Sequence, residues 1–574
     1  MSEKTLPEET LPEETLSEET PSEETLSEET LPEEANAGQA LLRVAAAHGT
    51  TVFFGVVSIH NQPLIDAVVH GEDYGARFVP VRHEAAAVNA ADAYARATGG
   101  LGVAITSTGT GAGNAAGSLI EALTAGSRLL HVTGQIDAEF LGQGRGVIHE
   151  TKDQLAMLQA VSKQAISVTS AGEVGSTLAA AATMAMTPPT GPVSVEIPID
   201  LQYQPTPVPV FPPVETAAPD PASLSGAADL LRAADRPVLW LGGGAVGARA
   251  QIQALVDATG AAVVTSNAGR GTIDERSDMV VGNFAATPVA GELLAAADML
   301  VSIGTHFRSN ETRHYHLELP TPHIQIDVDP DAIGRAYPAS VGIVGDSASV
   351  LDALLPLVDT EPNPEWRAKV TATREAVRAQ LQADIGPYAA LADGLRRTMA
   401  DDSPFVRDVT IPASAWGNRL VDVYAPETNI NARGGGIGQG LSMAAGAAIA
   451  KPDAPTVLLV GDGGLAVHLG ELGTVAEEQP WLVIVLFNDG GYGVLRNLQD
   501  HHFERRSGVD LVGPDFAVLA SAFSIEHRHL REPAASAAVL GEAAGLRRPV
   551  VVEVDCTAFG PMPKRFVPPV PVSR

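Results

Sequence analysis

The sequence predicts an α/β protein built of three parallel-sheet α/β domains, preceded by a disordered acidic N-terminal tail. Short apolar runs alternate with helix-length stretches rich in alanine, the pattern of parallel sheets covered by helices. A proline-rich segment, 203–221, and a long helical stretch, 364–385, divide that alternation into three. The 574 residues leave each unit the size of an ordinary domain.

Residues 1–36 are a degenerate LPEET/LSEET repeat without aromatic residues. So much charge with so little apolar surface cannot offset the entropy of ordering, so this segment reads as a disordered tail. The first domain, 37–203, opens with a helix at 39–48. Strands follow at 51–57, 76–81, 103–106, 129–133 and 193–197, with an alanine-rich helix at 85–98. The second domain, 221–359, has a helix at 223–234 and strands at 237–241, 262–265, 299–303 and 323–326. Its Gly242-Gly243-Gly244 turn is either a tight strand-to-helix connection or a phosphate cradle, and it lacks the GxGxxG spacing. The third domain, 405–560, holds Asn429–Asn431 before a glycine-rich run and carries strands at 456–460, 482–487 and 550–554. Residues 561–574 remain as a C-terminal tail or lid.

The net charge of −32 excludes several partners. Thirteen glutamates and one lysine in residues 1–34 supply more than a third of it, and the remainder is still strongly acidic. Such a chain repels nucleic acid and anionic membranes. No apolar run is long enough to span a bilayer and the N-terminus has no signal-peptide pattern, so a cytoplasmic protein is expected. The single cysteine, Cys556, rules out an internal disulfide; read as sitting in an apolar strand, it is expected to be an inert core thiol.

The chemistry concentrates between Gly461 and Gly493. A strand runs into Gly461-Asp462-Gly463-Gly464, and after a helix a second strand runs into Asn488-Asp489-Gly490-Gly491-Tyr492. Loops at the carboxyl ends of parallel strands are where open α/β sheets hold ligands. One crossover between these strands lets Asp462 and Asp489, 27 positions apart, face a single site. Two carboxylates with few other donors suit Mg²⁺ held together with phosphates, and the glycines let backbone N–H groups approach those phosphates.

Three motifs resemble the thiamine diphosphate (ThDP) enzyme superfamily, in particular acetolactate synthase and benzoylformate decarboxylase. They are GDG followed by Asn-Asp, RHEAAAVNAADAYARATGG at 82–100, and ARGGGIGQG at 432–440. The resemblance covers residues 38 to about 560 and implies a pyrimidine-binding domain, a central Rossmann-like domain and a diphosphate-binding domain. It also implies ThDP and Mg²⁺ as cofactors. Asp462, Asp489 and the Gly491 carbonyl would hold the metal, and Gly461, Gly463, Gly464 and Tyr492 would line the diphosphate. Ile437 would be the apolar wedge that bends the cofactor, with Gly435 offering a carbonyl to its 4′-amino group. Glu84 would share a proton with the aminopyrimidine, with Asn114 beside the cofactor; taken alone, Glu84 also fits a helix-capping surface carboxylate. His60 and His149 are candidate acid–base groups, with helix capping and a satisfied structural histidine as their alternatives.

The activity implied is ThDP- and Mg²⁺-dependent decarboxylation or carboligation of a small 2-oxo acid: the cofactor's C2 ylid adds to the carbonyl, CO₂ leaves, and the enamine is protonated or captured by a second carbonyl. Acetolactate synthase-like chemistry, 2-hydroxyacyl-CoA lysis and a non-catalytic regulatory role are the alternatives. Because Glu84 and the metal motif fall on different domains, the family pattern implies a homodimer or homotetramer pairing them across subunits. The sequence departs from its relatives in several places. Asp489 stands where most have Asn, Val57-Ser58-Ile59 replaces Pro-Gly-Gly, and His149 takes the place of a Gln. The synthase's tryptophan-containing motif and a convincing FAD site are missing.

Overall fold

The computed structural model describes residues 34–207, 211 and 219–568. The expectation of a disordered tail therefore falls outside the described residues, except at its end. There Glu34–Ala35 pairs antiparallel with Thr206–Pro207, and Asn36 caps helix Ala37–Ala47 in a capping box with Gln39. The first folded unit thus begins at Glu34 rather than at 37, because backbone pairing and a cap satisfy groups that a tail would leave to water.

Three six-stranded sheets, each all-parallel, stand among the described residues. In the first domain the strands lie side by side as Arg77–Pro80, Val52–Gly55, Gly102–Thr106, Leu129–Gln135, Val193–Pro198 and Gln164–Ser167. Numbered along the domain, the order is 2-1-3-4-6-5. The third domain repeats it with Asn429–Asn431, Phe405–Arg407, Thr456–Gly461, Leu482–Asn488, Val550–Asp555 and Glu526–Leu530. The first and third domains therefore share a topology that their sequences do not advertise. In the central domain Val280–Gly282, Ala262–Thr265, Pro237–Leu241, Met299–Ile303, His323–Asp327 and Val341–Val344 follow the order 3-2-1-4-5-6 of dinucleotide-binding sheets.

Interior strands such as Val457 to Val460 and Val483 to Leu486 are buried on both faces, which is why they read as unbroken apolar runs. Strands at sheet edges do not. Gln164–Ser167, Val341–Val344 and Glu526–Leu530 each leave several residues half-exposed, so their sequences lack the apolar continuity that signals a strand.

Helix Glu84–Thr98 of the first domain packs against helix Gly440–Ala450 of the third. Gly446 permits the closeness: a Cβ there would sit 2.1 Å from the Ala90 carbonyl oxygen. Arg96, near the end of its helix, chelates Asp92 and donates to the Asn431 carbonyl at 2.8 Å, tying the first domain to the strand before the glycine-rich turn. In the central domain a Cβ on Gly242 would meet the Gly304 carbonyl oxygen at 2.0 Å, and one on Gly244 the Gly304 Cα at 2.8 Å. Close packing of two loops therefore accounts for this glycine run without a phosphate. No helix of the described residues is long and apolar enough to cross a membrane.

Candidate active site

The two strand ends that carry Asp462 and Asp489 are neighbours. Thr456–Gly461 pairs in parallel with Leu482–Asn488, Gly461 opposite Phe487, so both following loops open on the same side of the sheet. Between them lies a cleft of about 230 Å³ lined by Gly435, Ile437, Gly461 to Gly464, Asp489, Gly491 and Tyr492. These are nine of the residues singled out from the sequence, brought to one place. Ile437 exposes 40% of its surface, an unusual degree for an isoleucine, and lines this cleft.

Burial raises the carboxyl of Asp462, opposed by backbone N–H groups of the loops. Asp489 is lifted to about 6, by burial first and then by the charge of Asp462. Two neighbouring carboxylates, both raised by burial and one raised further by the other's charge, are a donor set suited to a small divalent cation. Arg496 is the nearby positive group, 3.7 Å from Asp489 Oδ1. Its guanidinium also donates to the carbonyls of Asp489 and Gly490, each at 3.0 Å, and so fixes the loop rather than filling the cleft. Gly491 has φ +145°, and a Cβ there would lie 2.2 Å from the Val509 carbonyl oxygen. A side chain on Gly463 would likewise run into the Tyr492 ring at 2.8 Å.

Two residues that shape this cleft escaped the sequence. Asp408, buried just past the short strand Phe405–Arg407, accepts N–H bonds from Gly438 at 3.1 Å and Gly440 at 3.0 Å, bending the turn that presents Ile437. Burial lifts its carboxyl to about 6. Glu121, from the first domain, accepts from Gly434 N at 2.7 Å and from Arg433 N, holding the other end of the turn. A lone glutamate within the buried face of helix Thr110–Ala125 is the signal that would have found it; Asp408 has no comparable mark.

The remaining candidates gather elsewhere, at the carboxyl edge of the first sheet. Glu84 is the first residue of its helix, whose N-cap is His83: the ring Nδ1 accepts from Ala85 N at 3.2 Å. The cap is thus His83, and Glu84 Oε2 instead accepts from Asn114 Nδ2 at 3.0 Å. A Cβ on Gly111 would approach Glu84 Oε1 to 3.0 Å, so glycine keeps this carboxylate's surroundings open. His60 is buried and its ring lies 5.3 Å from that of His149, edge to face. It is not a helix cap, for Asn61 holds that position. Its Nδ1 has no partner among the described residues, and burial, then the neighbouring His149, lowers its affinity for a proton. His149 has φ +69° and stands 3.4 Å from Thr110 Oγ1.

Among the described residues, none of the first domain lines the cleft of the third. The Glu84 end of its helix meets the third domain elsewhere, where Arg82 N donates to Glu471 Oε1 at 3.0 Å and the His83 ring lies 5.3 Å from that of His468. Glu84 begins this helix, while Arg96, twelve residues on and about 18 Å along the axis, is the part that reaches Asn431 and the glycine-rich turn.

Cys556 departs from expectation. It opens the short helix Cys556–Phe559 instead of lying in a strand, and it lines a second cavity of about 450 Å³ with Tyr388, Trp416 and Asp489. Burial pushes its thiol up to about 12, so it stays protonated and a poor nucleophile. The described part of the C-terminal tail crosses helix Gly493–His502: Arg565 donates to Asn497 at 2.7 Å, and Asn497 to the Phe566 carbonyl at 2.9 Å. Residues 569–574 lie outside the described residues.

Comparison with known proteins agrees with this architecture. Three family models match in order: the thiamine pyrophosphate enzyme N-terminal TPP binding domain over residues 35–157, the central domain over 224–354, and the C-terminal TPP binding domain over 412–554. The chain belongs to the thiamine pyrophosphate enzyme family and is a ThDP-dependent enzyme of carbon–carbon bond cleavage or formation. It is 31% identical to a probable 2-ketoarginine decarboxylase of Pseudomonas aeruginosa over 496 residues, covering 85% of this chain and 88% of the relative. It is also 31% identical to the acetolactate synthase isozyme 2 large subunit of Escherichia coli K12 over 512 residues, 86% of this chain and 91% of that one. A probable acetolactate synthase large subunit of Methanococcus aeolicus is 26% identical over 555 residues, 90% of this chain and 91% of the relative.

Proposed function

We propose that the protein is a ThDP- and Mg²⁺-dependent 2-oxo acid decarboxylase, with carboligation as the alternative fate of the same reaction, and that two copies of the chain complete each site. The observation that carries this is the Asp462–Asp489 pair in a glycine-lined cleft, where each carboxylate's charge is unfavourable without a cation. Asp462, Asp489 and the Gly491 carbonyl would hold Mg²⁺, and the backbone of Gly461, Gly463 and Gly464 would receive the diphosphate, with Tyr492 closing that wall. The exposed Ile437 fits an apolar support for the coenzyme's middle, and Gly435 a carbonyl acceptor for its amino group. When bound, the coenzyme supplies a carbon nucleophile and an electron sink for the departing carboxylate's electrons.

The chain's own residues orient and move protons. Glu84, kept in place by Asn114, would hold a proton at the pyrimidine ring nitrogen of a coenzyme seated in the partner's cleft. His149 meets Thr110 of the turn whose Gly111 adjoins Glu84, and with His60 against it this pair would offer a proton source to the substrate side. Burial keeps His60 neutral near pH 7, so it can accept or pass a proton without carrying a fixed charge. This pair favours protonation of the decarboxylated product over transfer to a second carbonyl. The relative named as a 2-ketoarginine decarboxylase supports the same choice, and those named as acetolactate synthases support the alternative. Incubating holoenzyme with a panel of 2-oxo acids, with CO₂ and products measured separately, tests it. Aldehyde in equal amount to CO₂ is expected; CO₂ released with only 2-hydroxy ketone formed would replace decarboxylase by carboligase, and no CO₂ from any acid would defeat both.

A further inference from the structure

The outer edge of the third sheet carries a cluster that this function does not use. Strand Glu526–Leu530 is an edge strand, so His527 and His529, two apart, project to one face. Glu553 on the adjoining strand is in register with His529 and shares that face. His527 Nε2 lies 2.7 Å from Glu553 Oε2 and His529 Nε2 lies 3.9 Å from the same oxygen. The three ligand atoms fall within 4.8 Å of one another.

We infer that His527, His529 and Glu553 bind a transition-metal dication of the zinc class, at a site separate from the Asp462–Asp489 pair. Around a tetrahedral ion with ligands at about 2.1 Å, donor atoms stand roughly 3.4 Å apart, a spacing bracketed by the 2.7 and 3.9 Å found here. Two imidazoles and one carboxylate select zinc-like ions over Mg²⁺ or Ca²⁺, which prefer all-oxygen sets. The exposure is that of an open site. His527 and Glu553 are about nine-tenths buried on the inner side, while His529 is 44% exposed and free to swing onto an ion that keeps water as its fourth ligand. Glu553 is already held from behind, since its Oε1 accepts from Asn488 Nδ2 at 2.8 Å, the outer contact that orients a ligating carboxylate. Neighbouring guanidiniums are engaged elsewhere, Arg528 with Glu526 at 2.5 Å and Arg531 with Asp555 at 3.7 Å. Asn488 directly precedes Asp489, so an ion here would also brace the strand end that carries one wall of the cleft.

The test uses the full chain without a histidine tag, stripped with chelator and kept in saturating Mg²⁺ so that the carboxylate pair is occupied. Titration with Zn²⁺ by calorimetry should show one equivalent bound, and Co²⁺ should give the visible absorption of a four-coordinate site. His529→Ala, at an exposed position where folding is not at risk, should weaken Zn²⁺ binding by at least about tenfold, whereas Asp462→Ala should leave it unchanged. Zn²⁺ binding that survives His529→Ala, or that disappears in Asp462→Ala, overturns the assignment, as does the absence of any Zn²⁺ binding.

Discussion

The carboxyl of Asp489 is lifted to about 6 because it is buried and because Asp462 adds its charge from across the same cleft. On the proposed function, the pair's negative charge works against the fold until a cation joins it. Mg²⁺ with ThDP should therefore raise the unfolding temperature. At a hundredfold excess over the dissociation constant the gain is about 2.7 kcal/mol, and differential scanning fluorimetry should register it as a rise of a few degrees. Asp462→Ala should lose that metal-dependent rise, yet unfold at or above the wild-type temperature when no metal is present.

Glu84 accepts one hydrogen bond from Asn114, and Gln at that position can accept the same bond. Glu84→Gln should consequently keep the wild-type unfolding temperature while turnover falls by roughly 10²- to 10⁴-fold, the range for losing a positioned acid–base group. Steady-state kinetics alongside thermal unfolding checks this. A variant retaining most of its turnover would remove Glu84 from the mechanism.

If the half-sites pair between copies, two inactive variants should rescue each other. Glu84→Gln and Asp462→Ala, unfolded together and refolded at equal concentration, give mixed dimers in which one site has both intact halves. Random pairing recovers about a quarter of wild-type activity. Activity that stays at the level of the separate variants would place both halves of a site on one chain.

Asp408 has a pH signature of its own. Its carboxyl titrates near 6 in the folded protein, raised by burial, against an ordinary value near 4 when unfolded. The folded state thus binds the proton more tightly. The stabilisation is complete below pH 4 and is lost as pH rises through 6, a span of about 3 kcal/mol for two pH units. Asp408→Asn, which cannot ionise, should flatten the fall in urea midpoint between pH 4 and 6 relative to wild type. Asp408→Ala should instead destabilise at every pH, because the Gly438 and Gly440 N–H groups lose their acceptor, each at about 1–3 kcal/mol.

Much of this molecule was legible in the chain itself. The strands Pro237–Leu241, Ala262–Thr265 and Met299–Ile303 could be read to the residue, since strands buried on both faces are mostly apolar, with Thr265 and Ser302 the polar exceptions. Edge strands such as Glu526–Leu530 were not legible, because half their residues face water and the apolar pattern dissolves. The matching strand order of the first and third domains was also hidden, since topology constrains which positions are apolar and not which apolar residue fills them. In the site, glycines and aspartates at strand ends announced the cleft. Asp408 and Glu121 did not, because each acts on backbone N–H groups distant in sequence, as when Glu121 reaches Gly434.

The sequence by itself determined the α/β class, the three-domain order and the shared cleft of the loops carrying Asp462 and Asp489, because periodicity and glycine spacing are local properties of a chain. Only the tertiary structure decided that His60 and His149 meet, that Glu121 and Asp408 bend the turn carrying Ile437, and that Glu84 is held apart from the cleft within one chain. Those relations depend on which strand ends and loops the packed fold brings together, and no local pattern encodes a distance between residues that far apart in sequence.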